Sequence, residues 1–148
     1  MPSKDKSLDS AKTAARGKAL GRVLLVEDDP VLAMTLEDAF LRAGTREVVI
    51  CTTMQATKLE LEKNERTDAI VLDVHLGDRN DGWAIAEIVT MLGARPPRIA
   101  FSTGSPESIP PEVAELGPVF EKPYDPDLLV QELSAREQKR GLIARMFG

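Results

Sequence analysis

A chain of 148 residues with 43% hydrophobic and 29% charged side chains has the length and balance of one globular domain, which excludes a disordered or fibrous chain. Its net charge of −5 is unevenly spread: residues 1–22 carry six Lys/Arg against Asp5 and Asp9, a surplus of +4 that leaves −9 for the remainder and excludes nucleic acid as the main partner of the folded part. Cys51 is the only cysteine, which excludes an internal disulfide and a cysteine metal cage.

Residues 1–21, rich in Ser, Ala and Lys, read as a disordered basic leader, and one domain is expected over 22–148. The opening MPSKDKSLDS lacks the apolar core of a secretory signal, and no run approaches the ~18 apolar residues of a membrane span. No membrane segment is expected, and the cytoplasm is the expected location.

Val23–Val26 is a short unbroken apolar run that stops at Glu27, Asp28, Asp29 and Pro30, as a strand buried on both faces would. Pro30 suits the first turn of a helix, and Val31, Leu32, Thr35, Leu36, Ala39 and Phe40 recur at helical spacing until Gly44. A second strand is predicted over Glu47–Cys51, with Cys51 a buried thiol at its end. Thr52 or Thr53 can cap the next helix, whose apolar positions are Met54, Leu59 and Leu61 and which ends near Asn64. Ala69–Asp73 is a third apolar run, and it too ends in a carboxylate.

A loop from His75 to Asp81 leads to a helix from about Gly82 to Leu92, in which Trp83 reads as a packing residue. Arg98–Ser102 is the fourth strand and runs into Thr103-Gly104. Pro106, Pro110 and Pro111 leave the fourth helix short. Val119–Glu121 is a brief fifth strand before Lys122-Pro123, and Pro126 opens a last helix expected to run to about Arg145. Strands alternating with helices imply an α/β fold, a doubly wound five-stranded parallel sheet with helices on both faces.

In such a sheet ligands bind beyond the carboxyl ends of the strands. Those ends supply Glu27, Asp28, Asp29, Asp73, Thr103 and Lys122. Carboxylates converging at one edge repel one another unless a cation sits among them, and hard oxygen ligands suit Mg²⁺. A carboxylate beside Mg²⁺ can attack a phosphoryl group and form an acyl phosphate, with Asp73 the candidate nucleophile. Lys122 and Thr103 would then neutralise and hydrogen-bond the phosphoryl oxygens.

The stretches VLLVEDDP, VLDVHL, FSTG and EKPYD, in this order, resemble the receiver domains of bacterial response regulators over about residues 22–135. The resemblance implies a flavodoxin-like fold and a two-component phosphorelay role. It implies that Glu27 and Asp28 organise Mg²⁺, that Asp73 accepts the phosphate, and that the His75 backbone carbonyl joins the metal. It makes Thr103 the switch hydroxyl and Lys122 the phosphoryl contact, with Pro123 where the family commonly has a cis peptide. Such a protein is no conventional enzyme; it helps catalyse its own aspartyl phosphorylation and dephosphorylation. Its implied partners are a histidine kinase or phosphotransfer protein and a downstream protein, with no nucleic acid or membrane.

Only residues 134–148 follow the resemblance, so a stand-alone receiver is expected, with partner binding as output. FSTG is similar to the single-domain group reading Phe-Ala-Thr-Gly-Tyr, although Ser105 stands where that group has tyrosine. Val119 occupies a position where many receivers carry an inward-swinging aromatic, and Phe120, one residue on, should face the other side of the sheet. Coupling through Thr103 and residues 104–111 is the expected substitute. Residues 135–147 mix Arg136, Lys139, Arg140 and Arg145 with Leu142, Ile143, Met146 and Phe147, which suits either an extension of the last helix or a surface for a partner or a second copy. The competing function is a phosphate-independent adaptor. A P-loop nucleotide binder is excluded because no G-x-x-x-x-G-K-[ST] sequence occurs.

Overall fold

In a computed structural model, residues 19–63, 65–75, 82–92 and 96–135 are described, the side chains of 82–86 excepted. Five strands, β1 (Arg22–Val26), β2 (Glu47–Cys51), β3 (Ala69–Asp73), β4 (Arg98–Thr103) and β5 (Val119–Glu121), form a single sheet in the order β2-β1-β3-β4-β5. Every pairing is parallel. The helices are α1 (Pro30–Arg42), α2 (Met54–Glu62), α3 (Gly82–Met91), α4 (Pro111–Ala114) and α5 (Pro126–Ser134), with a 3-10 turn at Pro106–Ser108.

The strands are apolar without alternation because both faces are covered. Leu24, Val26, Ile70, Leu72 and Phe101 point to one face and pack with Met54, Ile88, Ile109 and Val113. Their neighbours Val23, Leu25, Ala69, Val71 and Ala100 point to the other, against Leu36, Ala39, Phe40, Leu129, Val130 and Leu133. Removal of this apolar surface from water on two sides is what stabilises a parallel sheet, whose slanted ladder is the weaker kind. Val119 and Phe120 follow the same alternation and join opposite clusters, as their spacing predicts.

The buried faces of α1 and α2 differ from those that the helical spacing predicts. Val31, expected inward, is 72% exposed, whereas Ala33 is buried. The first turn of α1 starts beyond the end of β1, where Asp29 caps it through bonds from Val31 N and Leu32 N, so Val31 clears the core. Thr35, also expected inward, is exposed and returns its hydroxyl to the Val31 carbonyl. In α2, Leu59 is exposed and Thr57 is buried, its hydroxyl satisfied by the Thr53 carbonyl at 2.8 Å. Thr53, not Thr52, is the cap, accepting from Ala56 N.

The amino-terminal edge of the sheet is held by charge. Arg22 is buried and its guanidinium meets Glu60 at 2.8 Å, Glu65 at 3.2 Å and Glu47 at 3.3 Å, with a further bond to Thr67. Asp68 accepts from the backbone of Gly21 and Arg22, tying the start of β1 to the approach of β3. At the far end of α5, Arg98 donates to the carbonyls of Leu133 and Ala135, and Ala135 takes an extended backbone. The helix therefore ends at Ser134; the expected continuation to about 145, the basic leader through residue 18, the loop at 76–81 and the Trp83 side chain lie outside the described residues. No described helix is long and apolar enough to cross a membrane.

Gly117 sits where β5 approaches β4: a Cβ there would run into the Ile99 carbonyl oxygen and stand 2.8 Å from its carbon. Gly117→Ala must displace backbone on one of the two strands, and a loss of about 2–4 kcal/mol in urea unfolding is expected, in the range of overpacked or rearranged sites. Gly104→Ala, where nothing lies within 4 Å of the added carbon, should change stability far less.

Candidate functional site

β1 and β3 are neighbours in the centre of the sheet, and the strand order reverses between them. Their carboxyl ends open the crevice in which α/β sheets bind ligands. Glu27 extends the ladder one residue past β1, its N–H bonded to the Cys51 carbonyl at 3.0 Å, and this backbone bond sends its side chain into the crevice, 1% exposed. Asp28 follows and is exposed. Asp29 is spent on the α1 cap, and its own N–H donates to Glu27 Oε1 at 3.1 Å. Of three consecutive acids, then, two face the crevice and the third builds the helix that follows.

Asp73 is the last residue of β3 and is buried. Its Oδ1 accepts from the His75 backbone N–H at 3.0 Å, and its Oδ2 lies 3.5 Å from Lys122 Nζ. Thr103 ends β4, fully buried. The Thr103 carbonyl accepts from Lys122 N at 2.8 Å, so the backbones at the ends of β4 and β5 are paired. Lys122 leads into a cis bond to Pro123. Its ammonium stands 3.2 Å from both Glu27 oxygens, donating a hydrogen bond to Oε1. The structure thus brings together the carboxylates of Glu27, Asp28 and Asp73 and the Lys122 ammonium, and ends the neighbouring strand β4 at Thr103.

The electrostatics are unbalanced. Ligand oxygens of Glu27, Asp28 and Asp73 all lie within 4.8 Å of one another, and among the described residues one ammonium, Lys122, meets Glu27 and Asp73. Burial, and then the Asp73 charge, push the Glu27 carboxyl from the usual 4.5 up to about 7, overcoming the opposing pull of Lys122. Burial draws the Lys122 pKa down, but Asp73 and Glu27 outweigh it and the net shift is upward. Glu27 Oε2 is buried and makes no hydrogen bond among the described residues. A buried carboxylate oxygen with an ion pair but no hydrogen bond, inside a three-carboxylate cluster, belongs to the oxygen donor set of a hard divalent cation, so these residues fit Mg²⁺.

Thr103 Oγ1 accepts from Ser105 N at 2.9 Å, and no described group takes its proton, which leaves it able to donate. Two contacts had no signal in the hydrophobic pattern. Ser102 Oγ and Tyr124 OH are 2.7 Å apart, and the Tyr124 and Phe120 rings stack obliquely at 5.6 Å, so the chain after Lys122 is anchored to the strand before Thr103. The His75 ring bonds to Ser108 at 3.0 Å, joining the loops after β3 and β4. A serine five residues after the switch-type threonine and a tyrosine directly after Lys-Pro are the only sequence cues to these links.

Comparison with known proteins agrees with this geometry. The family model described as the response regulator receiver domain matches residues 23–134. SdrG from Sphingomonas melonis Fr1 is 31% identical, with a TM-score of 0.57 over 78% of this chain and 95% of that one. A CheY-like receiver domain from Methylobacillus flagellatus superimposes with a TM-score of 0.60 at 23% identity, over 77% of this chain and 98% of that one. The response regulator PhyR from Brucella abortus gives a TM-score of 0.67 at 21% identity over 95% of this chain, which spans only 58% of the PhyR chain. No curated protein sequence matches. With the flavodoxin-like sheet, the acidic crevice and the family match in agreement, this chain belongs to the response regulator receiver domain family.

Proposed function

We propose that this receiver accepts a phosphoryl group on Asp73 and signals by changing its affinity for a protein partner. The observation that carries the reading is the buried Asp73 carboxylate, held between Lys122 and the His75 amide inside the three-carboxylate cluster. An Asp73 oxygen attacks the phosphorus of a phosphorylated histidine on a kinase or phosphotransfer protein. The P–O bond of an acyl phosphate forms as the P–N bond breaks, and the imidazole leaves with the electron pair. Mg²⁺ held by Glu27, Asp28, Asp73 and the His75 backbone carbonyl would neutralise phosphoryl charge. Lys122 balances the charge that grows on the transferred oxygens, and the Thr103 proton turns to one of them. Water later hydrolyses the same bond and restores the carboxylate.

PhyR from Bartonella quintana is described as an anti-anti-sigma factor and is 22% identical to this chain, which spans 58% of it. That likeness supports a protein as the target of the signal. We place the action in the cytoplasm, where histidine kinases present their phosphate. The phosphate-independent adaptor is the second reading, favoured by Val119, which packs among the helices of one face and offers no aromatic ring to swing.

Incubation with acetyl phosphate and Mg²⁺ should add one phosphoryl group by intact mass, and Asp73→Asn or chelation should abolish it. Lys122→Ala should slow the reaction about 10- to 100-fold, the equivalent of one charge-assisted hydrogen bond. A wild-type adduct that persists in Asp73→Asn would refute the assignment, and no adduct from any small donor or kinase would favour the adaptor.

Because the Glu27 pKa is raised from 4.5 to about 7 on folding, the folded chain binds more protons than the unfolded chain across that window. This contribution to stability is fully present below about pH 4.5 and is lost as pH rises through about 7 in the absence of divalent cation. Urea unfolding followed against pH should show that decline, Glu27→Gln should flatten it, and Mg²⁺ should oppose it at neutral pH.

A further inference from the structure

The chain has one histidine, and its ring is engaged. His75 Nε2 lies 3.0 Å from Ser108 Oγ, across 33 residues of sequence, joining the loop after β3 to the 3-10 turn after β4. Proton counting fixes the direction of this bond. A serine hydroxyl has one hydrogen, and that of Ser108 goes to the Ser105 carbonyl at 2.7 Å. Ser108 Oγ must therefore accept, and His75 Nε2 must carry the hydrogen.

This bond is one link in a path between the two strand ends that matter. Asp73 Oδ1 accepts from His75 N, the His75 ring donates to Ser108, Ser108 donates to the Ser105 carbonyl, and Ser105 N donates to Thr103 Oγ1. The residue after Ser108, Ile109, is buried in the helical cluster beside Val113 of α4.

We propose that Ser108, acting through the His75 imidazole, is a positioning residue for phosphoryl transfer at Asp73 and the latch that ties the β4–α4 turn to the acceptor loop. The proposal rests on the phosphoacceptor reading and supplies its coupling step. The Asp73 carboxylate is oriented by Lys122 on one oxygen and by a loop amide, His75 N, on the other. A loop amide orients a carboxylate only as well as the loop is held, and the ring bond to Ser108 holds it. In the reverse direction, a Thr103 hydroxyl that turns toward a phosphoryl oxygen draws on Ser105 N, and through Ser105 on Ser108. Opening the latch frees the turn beside Ile109 and transmits the change to α4. With Val119 on β5, this path takes the place of an aromatic rotamer.

The test uses the full chain with Mg²⁺ and acetyl phosphate, the initial rate being read by intact mass for wild type, Ser108→Ala, His75→Ala, the double variant and Ser108→Thr. Each alanine variant should slow phosphorylation about three- to tenfold, the net worth of one hydrogen bond. The double variant should be no slower than the singles, because both remove the same link. Ser108→Thr, which keeps the hydroxyl, should restore the rate. In the unphosphorylated protein, nitrogen-15 spectra should show the His75 hydrogen on Nε2 in wild type, and that Nε2 signal should shift in Ser108→Ala. Wild-type rates in Ser108→Ala, or losses that multiply in the double variant, would overturn the latch while leaving Asp73 as acceptor. Absence of any adduct on the wild-type chain would overturn the acceptor reading and the latch with it.

Discussion

The site depends on a charge conflict that the fold makes unavoidable. Parallel strands place their carboxyl ends at one edge, and in this chain those ends bring the ligand oxygens of Glu27, Asp28 and Asp73 within 4.8 Å of one another. Among the described residues one ammonium, Lys122, is shared between Glu27 and Asp73, one positive charge against three carboxylates. The conflict shows in the raised Glu27 pKa and in an Oε2 without a hydrogen bond among the described residues. A site of this kind is poised for added positive charge, and a divalent cation brings with it an affinity for phosphoryl oxygens.

The rest of the structure makes that conflict sustainable. β1, β3 and β4 are buried on both faces, so their ends cannot relax away from one another without exposing Leu24, Leu72 or Phe101 to water. Charge at the opposite edge is arranged conservatively: Arg22 is buried but meets three carboxylates, and Arg98 closes the end of α5. The acids around Arg22 are partly exposed and screened by water, whereas Glu27 and Asp73 are buried, so the uncompensated charge lies at the crevice edge. The residues just beyond the strands, His75 and Ser105, bond back to Asp73 and Thr103 at the strand ends themselves.

Much of this was legible in the sequence because two-faced burial writes unbroken apolar runs, and each run stops where the crevice begins. Glu27, Asp73, Thr103 and Lys122 are therefore readable from the sequence as strand-end residues. The helices were less so. A helical period names a face but not where the helix passes the end of the sheet, which is why Val31 turned out exposed and Ala33 buried. Asp28 and Asp29 are chemically alike, and only backbone geometry shows that Asp29 is the cap. The His75–Ser108 and Ser102–Tyr124 bonds depend on how a proline-rich turn and a cis Lys122–Pro123 bond fold back, and no periodic pattern encodes either.

The central claim is that the acidic crevice makes Asp73, and no other carboxylate, the phosphate carrier. Borohydride reduction of the phosphorylated chain, followed by peptide mass spectrometry, tests it most directly, since an aspartyl phosphate is reduced to homoserine while a free carboxylate is untouched. Homoserine at position 73 alone is the predicted result. Homoserine at 28 or 29, or glutamyl reduction at position 27 with residue 73 intact, would contradict the account.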